Sequence, residues 1–75
     1  MSVFDLSVGE CAYIKNCNLT GSASARLNSL GIVAGKKITV LAFSLFKSSV
    51  LIGCGVVRLG LRKSLAKCIE VEKCA

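Results

Sequence analysis

Five thiols carry most of the latent chemistry of this sequence: Cys11, Cys17, Cys54, Cys68 and Cys74. A thiolate is a nucleophile and a soft metal ligand, but it needs a partner that lowers its pKa or positions it. The sequence has no histidine to do either. No two cysteines have the C-x-x-C spacing, and no imidazole is present to complete a zinc site. An odd number of cysteines cannot close entirely into intramolecular disulfides, so reduced thiols in a reducing compartment are expected. Each cysteine is then first of all a small packing residue.

The carboxylates offer less. Asp5, Glu10, Glu70 and Glu72 are scattered along the chain and read as solvated charges. Acid–base catalysis has no candidate pair, and no enzyme activity is expected. Gly53-Cys-Gly55 lacks the lysine and the following helix of a phosphate-binding loop. The chain should not bind GTP itself. Ten Lys and Arg against four Asp and Glu give a net charge of +6. That balance suits an acidic protein, a nucleic acid or an anionic leaflet without choosing among them. Lys36, Lys37, Arg58, Arg62 and Lys63 are the residues that could meet such a surface.

These groups must be positioned by a small core. Apolar residues make up 53% of the 75, too many for a disordered chain. No uninterrupted apolar stretch exceeds five residues, whereas a membrane-spanning helix needs about 20. The first ten residues have neither a basic region nor an apolar run of the kind that marks secretion. A single domain over residues 1–75 in the cytoplasm is expected.

Proline is absent, so glycine punctuates the chain. Glu10 to Cys17 alternates as a half-buried strand, with Ala12 and Ile14 inward and Cys11, Tyr13, Lys15 and Cys17 outward. Cys11 and Cys17 then lie about 20 Å apart at about 3.3 Å per residue and cannot bond to each other. Residues 18–21 read as a loop. Ser22 is the expected cap of a helix from Ala23 to Leu30, whose stripe is Ala23, Leu27 and Leu30. Arg26 falls off that stripe, and Gly31 supplies the left-handed stop.

Lys37 to Phe43 is the next strand. Ile38, Val40 and Ala42 share one face; Thr39, Leu41 and Phe43 share the other. Apolar groups on both faces predict a central strand or one covered on its second side. Residues 44–49 connect to a strand over Val50 to Cys54. A tight glycine turn leads into Val56 to Arg62, with Val57, Leu59 and Leu61 inward. A helical turn within Arg62 to Lys67 precedes a last strand, Cys68 to Glu72, and residues 73–75 are expected to fray. Five short strands with one short helix at about 22–30 favour a mainly β, SH3-like barrel, because closure removes exposed edges.

The helix and its exit, Ala25-Arg-Leu-Asn-Ser-Leu-Gly-Ile-Val-Ala-Gly35, resemble the R-L-x-x-L-G-I-x-x-G signature of the FeoA family. The segment Val57-Arg-Leu-Gly-Leu-Arg-Lys-Ser-Leu-Ala-Lys-Cys-Ile-Glu-Val71 is similar to that family's closing strand, turn and strand. Asp5-Leu-Ser-Val-Gly-Glu10 resembles its L-x-x-G-E opening. The resemblance runs from Leu6 to Val71. Two departures are Ala34, where the family often has proline, and the apolar Phe43-Ser-Leu-Phe46, where many relatives have a more polar loop.

The resemblance implies an SH3-like barrel, as the strand pattern does. It also implies a cytosolic accessory of bacterial ferrous iron uptake with no catalytic activity of its own. The implied partner is FeoB, a membrane transporter with a cytosolic GTP-binding domain, which would hold this chain at the inner face of the membrane. No cofactor is expected. Fe(II) could meet only thiolates here, and Cys11, Cys17 and Cys68, outward by strand parity, are the candidates. Partner contact is expected at the helix, through Arg26 and Leu30, and at the apolar loop, through Leu45 and Phe46. The loop's alternative role is a flap over the barrel end. Self-association is a further expectation. The competing reading is a small basic barrel that binds nucleic acid or regulates transcription. The four aromatic residues give it little to stack bases on, and the sequence has no room for a helix-turn-helix.

Overall fold

The computed structural model describes residues 1–17, 19 and 21–74. The chain forms strands β1 (Cys11–Cys17), β2 (Lys37–Phe43), β3 (Ser49–Cys54), β4 (Val57–Arg62) and β5 (Ile69–Lys73), with helix α1 (Gly21–Ser29) and the short helix α2 (Lys63–Ala66). All pairings are antiparallel, in the order β4-β3-β2-β1-β5. The expectation of a mainly β fold with β2 in the centre is therefore met. Loop residues Asn18 and Thr20, and Ala75 of the expected frayed end, lie outside the described residues.

The sheet bends around one core. Ala12, Ile14, Ile38, Val40, Val50, Ile52, Leu61, Ile69 and Val71 come from all five strands and are at most 2% exposed. Leu27 of α1, Ile32 and Ala66 of α2 close the open side. Among the described residues no polar or charged side chain is buried. The alternation that marks half-buried strands thus chooses the inner face, as hydrophobic burial requires.

Two bulges reset that alternation. The β1–β5 register steps from Ile14 opposite Val71 to Asn16 opposite Glu70, leaving Lys15 as an extra residue. The β2–β3 register steps from Val40 opposite Ile52 to Ala42 opposite Leu51, leaving Leu41 extra. An extra residue bends a strand and flips the phase beyond it. Cys17 therefore packs against the core instead of facing outward. Phe43 turns toward the core, and Ala42, expected on the same face as Ile38 and Val40, is exposed while those two are buried. The outer face of β2 is not covered, since Leu41 is 37% exposed.

The helix stops as its sequence requires and starts differently. It begins at Gly21, so Ser22 lies in its first turn and is not its cap. At the other end Ile32 N–H donates to Leu27 C=O at 2.9 Å and Gly31 N–H to Asn28 C=O at 3.1 Å. Gly31 has φ +83°, and Leu27 and Ile32 are both buried. These are the paired bonds and the apolar contact of a Schellman stop.

The first residues are also ordered against the barrel. Val3–Asp5 form a 3-10 turn, with Ser2 N–H donating to Asp5 Oδ2 at 2.8 Å. That turn buries Val3 and Leu6, and Val71 N–H donates to Met1 C=O at 2.8 Å. The last described residues do not fray as expected. Lys73 ends β5 in an ion pair with Glu10 at 2.7 Å, and Cys74 N–H donates to Cys11 C=O at 3.2 Å.

Candidate functional site

Two large apolar side chains stand exposed side by side on one loop, Leu45 (80%) and Phe46 (90%); Val56, alone in the β3–β4 turn, is also fully exposed. Serines build the loop that presents them. Ser44 Oγ accepts from Ser49 N–H at 2.9 Å and shares a hydrogen bond with Ser48 Oγ, and Ser44 C=O accepts from Lys47 N–H. Phe46 and Lys47 then take left-handed φ values of +63° and +53°. Such angles are unfavourable for bulky L-residues. Lys63 N–H of α2 ties the loop down through Ser48 C=O at 3.0 Å.

Below the tip sits a small aromatic platform. The Phe4 and Phe43 rings meet edge to face at 5.5 Å, with Lys47 Nζ 5.0 Å above Phe43 and Lys63 Nζ 5.6 Å above Phe4. Phe4 and Phe43 are the residues that pack on the core here. Leu45 and Phe46 are therefore not a flap over the barrel end. They project from it.

A second surface lies between α1, β4 and α2. It is an apolar groove of about 410 Å³, formed by Ala23, Arg26 and Leu27 of α1, Leu59 and Gly60 of β4, and Leu65 of α2. Arg26 is exposed at this groove, while Leu30, the other helical candidate, is half-buried against the core. Sequence reasoning missed Leu59, Gly60 and Leu65 as surface-forming residues. The available signal was a glycine inside a strand, which marks open space or close approach. A Cβ at Gly60 would meet nothing within 4 Å.

The basic residues Lys36, Lys37, Arg58, Arg62 and Lys63 are all exposed. Lys37 and Arg58 flank a shallow depression on the outer sheet face, above Gly53 and beside Leu41. Two of the four carboxylates have structural partners. Glu10 accepts from Lys73, and from Ser7 N–H at 2.6 Å; these bonds, Lys73's first, hold its carboxyl below the usual range. The Ser2 N–H holds Asp5 low in the same way.

The thiols divide. Cys17 packs on the core, and burial raises its pKa. Cys68 lies in the turn before β5, not on a strand face, and its thiol donates to Ser64 C=O at 3.3 Å. Cys11 lies beside Cys74, whose thiol is held protonated chiefly by its hydrogen bond to Cys11. Among the described residues no three His, Cys, Asp or Glu groups come together. The three cysteines singled out as iron candidates do not share a site in this arrangement. Among those residues no helix is long and apolar enough to cross a membrane.

Comparison with known proteins agrees with this architecture. A family model described as the FeoA domain matches residues 1–73. The solution structure of an FeoA protein from Chlorobium tepidum matches with a TM-score of 0.94 and 28% identity, over 100% of this chain and 71% of that one. FeoA from Stenotrophomonas maltophilia, solved with zinc and described as a prokaryotic SH3 domain protein, matches with a TM-score of 0.83 and 25% identity, over 96% and 89% of the two chains. A manganese-dependent transcriptional repressor matches with a TM-score of 0.84 at 17% identity, over 99% of this chain and 36% of that one, a likeness of fold alone. A search of curated proteins finds no match.

Proposed function

Since this chain belongs to the FeoA family, we propose that it is an accessory of ferrous iron transport that docks on the cytosolic side of an FeoB-type transporter and modulates it by protein contact. The observation that carries this reading is the Leu45–Phe46 tip. Two large apolar side chains are held 80% and 90% exposed on a loop whose backbone is left-handed at Phe46. Folding gains almost nothing from such an arrangement, whereas burial against a partner would gain the full apolar area. The Stenotrophomonas maltophilia relative is described as a candidate activating factor for bacterial ferrous iron transport.

Contact, rather than iron carriage, fits the chemistry. The net charge of +6 repels a dication, and among the described residues no three metal-ligating groups converge. The same charge suits an acidic surface on the transporter and steers encounter toward it. Any influence on GTP hydrolysis would be exerted on the partner. The chain would reach the inner face of the membrane through that partner.

The test is capture of full-length FeoB from the same organism, in detergent, with this chain as bait. A Leu45→Asp/Phe46→Asp double variant is expected to lose capture while keeping its fold by circular dichroism. Capture undiminished in the variant would move the interface to the groove at Arg26. No capture by the wild-type chain, with nucleotide and Fe(II) present, would refute the docking role.

A further inference from the structure

We propose that Cys11 and Cys74 form a reversible disulfide that fastens the residue after β5 to β1, making this face of the sheet a thiol-oxidation site. The two residues face each other on paired strands. The β1–β5 register places Ala12 opposite Lys73, and the next pair along is Cys11 with Cys74. Their backbones are already joined by the 3.2 Å bond from Cys74 N–H to Cys11 C=O. A hydrogen-bonded cross-strand pair has Cα atoms about 5.5 Å apart. A disulfide spans about 4.4–6.8 Å between Cα atoms, so a facing pair of this kind stands within its reach.

Strand parity adds to this. Ala12 and Val71 point into the core, so Cys11 and Cys74 share the outer face, and both are partly exposed. A small oxidant can reach them. The other thiols are differently placed. Cys17 packs on the core, Cys68 donates to Ser64 C=O, and Cys54 sits opposite Val57 on the far side of β2. Among the described residues no other two cysteines occupy facing positions on paired strands.

The co-reactant is a low-molecular-weight disulfide such as oxidised glutathione. The Cys11 thiolate attacks one sulfur of that disulfide, and the first glutathione leaves with the proton Cys11 has lost. Cys74 then attacks the Cys11 sulfur of the mixed disulfide. The second glutathione leaves with the proton from Cys74. Two protein thiols are oxidised and one glutathione disulfide is reduced to two thiols. The hydrogen bond to Cys11 that raises the Cys74 pKa disfavours Cys74 as the first attacker, so it takes the second step, facing the Cys11 sulfur across the strand pair, once its proton is lost. In a reducing compartment the bridge forms only when the thiol pool becomes oxidised, which is the behaviour of a sensor.

The experiment incubates the folded chain in glutathione buffers of graded oxidised-to-reduced ratio, quenches with acid, and maps it by intact mass and by non-reduced peptides. The expected product has lost two hydrogen atoms, carries a Cys11–Cys74 linked peptide and unfolds at a higher temperature. Cys74→Ser is expected to stop at a single glutathione adduct on Cys11. A Cys17→Ser/Cys54→Ser/Cys68→Ser variant is expected to form the bridge at the wild-type ratio. Adducts without a Cys11–Cys74 link, a link distributed over the other cysteines, or no reaction while the chain remains folded would each overturn the proposal. These outcomes are independent of whether FeoB is captured.

Discussion

Replacing Phe46 by asparagine should make the protein more stable and a poorer binder. Phe46 sits at φ +63°, where an L-residue gives up about 1–2 kcal/mol relative to its favoured regions. Asparagine tolerates this conformation far better. What the substitution loses is small, because the ring is 90% exposed. A tenth of an aromatic side chain is about 20 Å², or about 0.5 kcal/mol of burial. The net gain is then about 1 kcal/mol. With an unfolding entropy of about 2.1 cal/mol/K per residue over this chain, that raises Tm by about 6 °C. Thermal unfolding followed by circular dichroism measures it. Lys47→Asn is the control. It relieves a similar angle but removes the cation over Phe43, worth about 0.5–1 kcal/mol, so its gain should be smaller. The same Phe46→Asn protein should capture less FeoB. A Tm that falls, or stays unchanged, would refute the argument that the tip is held against its own backbone preference.

Two further outcomes follow from an ion pair and from two glycines. Glu10→Gln removes the ion pair with Lys73, and its effect should depend on pH and salt. Because the folded carboxyl is held below its usual range, its contribution is fully present above the unfolded value of about 4.3 and is lost as pH falls through the lower folded value. The Tm difference between wild type and Glu10→Gln should therefore be largest near neutrality and close below about pH 4. It should also shrink in high salt. Gly31→Ala and Gly60→Ala should have opposite signs in urea denaturation. The first forces a Cβ into φ +83° at the helix stop and should destabilise by about 1–2 kcal/mol. The second enters open space at an ordinary strand angle and should stabilise by about 0.4–1 kcal/mol.

The legible parts of this molecule were those governed by local pattern. Alternating Ala12 and Ile14, Ile38 and Val40, and Ile69 and Val71 determined which faces enter the core, since only one phase buries them together. Leu27, Gly31 and Ile32 specified the helix stop, because an αL glycine followed by an apolar residue closes a helix whatever lies around it. The exposed tip was half legible. Leu45 and Phe46 were conspicuous in a connection, but no local rule separates a flap from a projection.

The rest depended on how strands meet. The bulges at Lys15 and Leu41 arise because β1 and β2 must curve around a shared core, and no residue type announces them. They turned Cys17 inward, exposed Ala42 and set Phe43 beneath the tip. The placement of Cys74 against Cys11 is a register between residues far apart in sequence, fixed by burying Ile14 against Val71. The groove exists only because α1, β4 and α2 come together around Gly60. In the sequence by itself, local alternation marks the side chains that must be hidden as far as each bulge, and no further. Tertiary structure decided which of the remaining ones stand together, because chain closure and strand curvature are properties of the whole sheet.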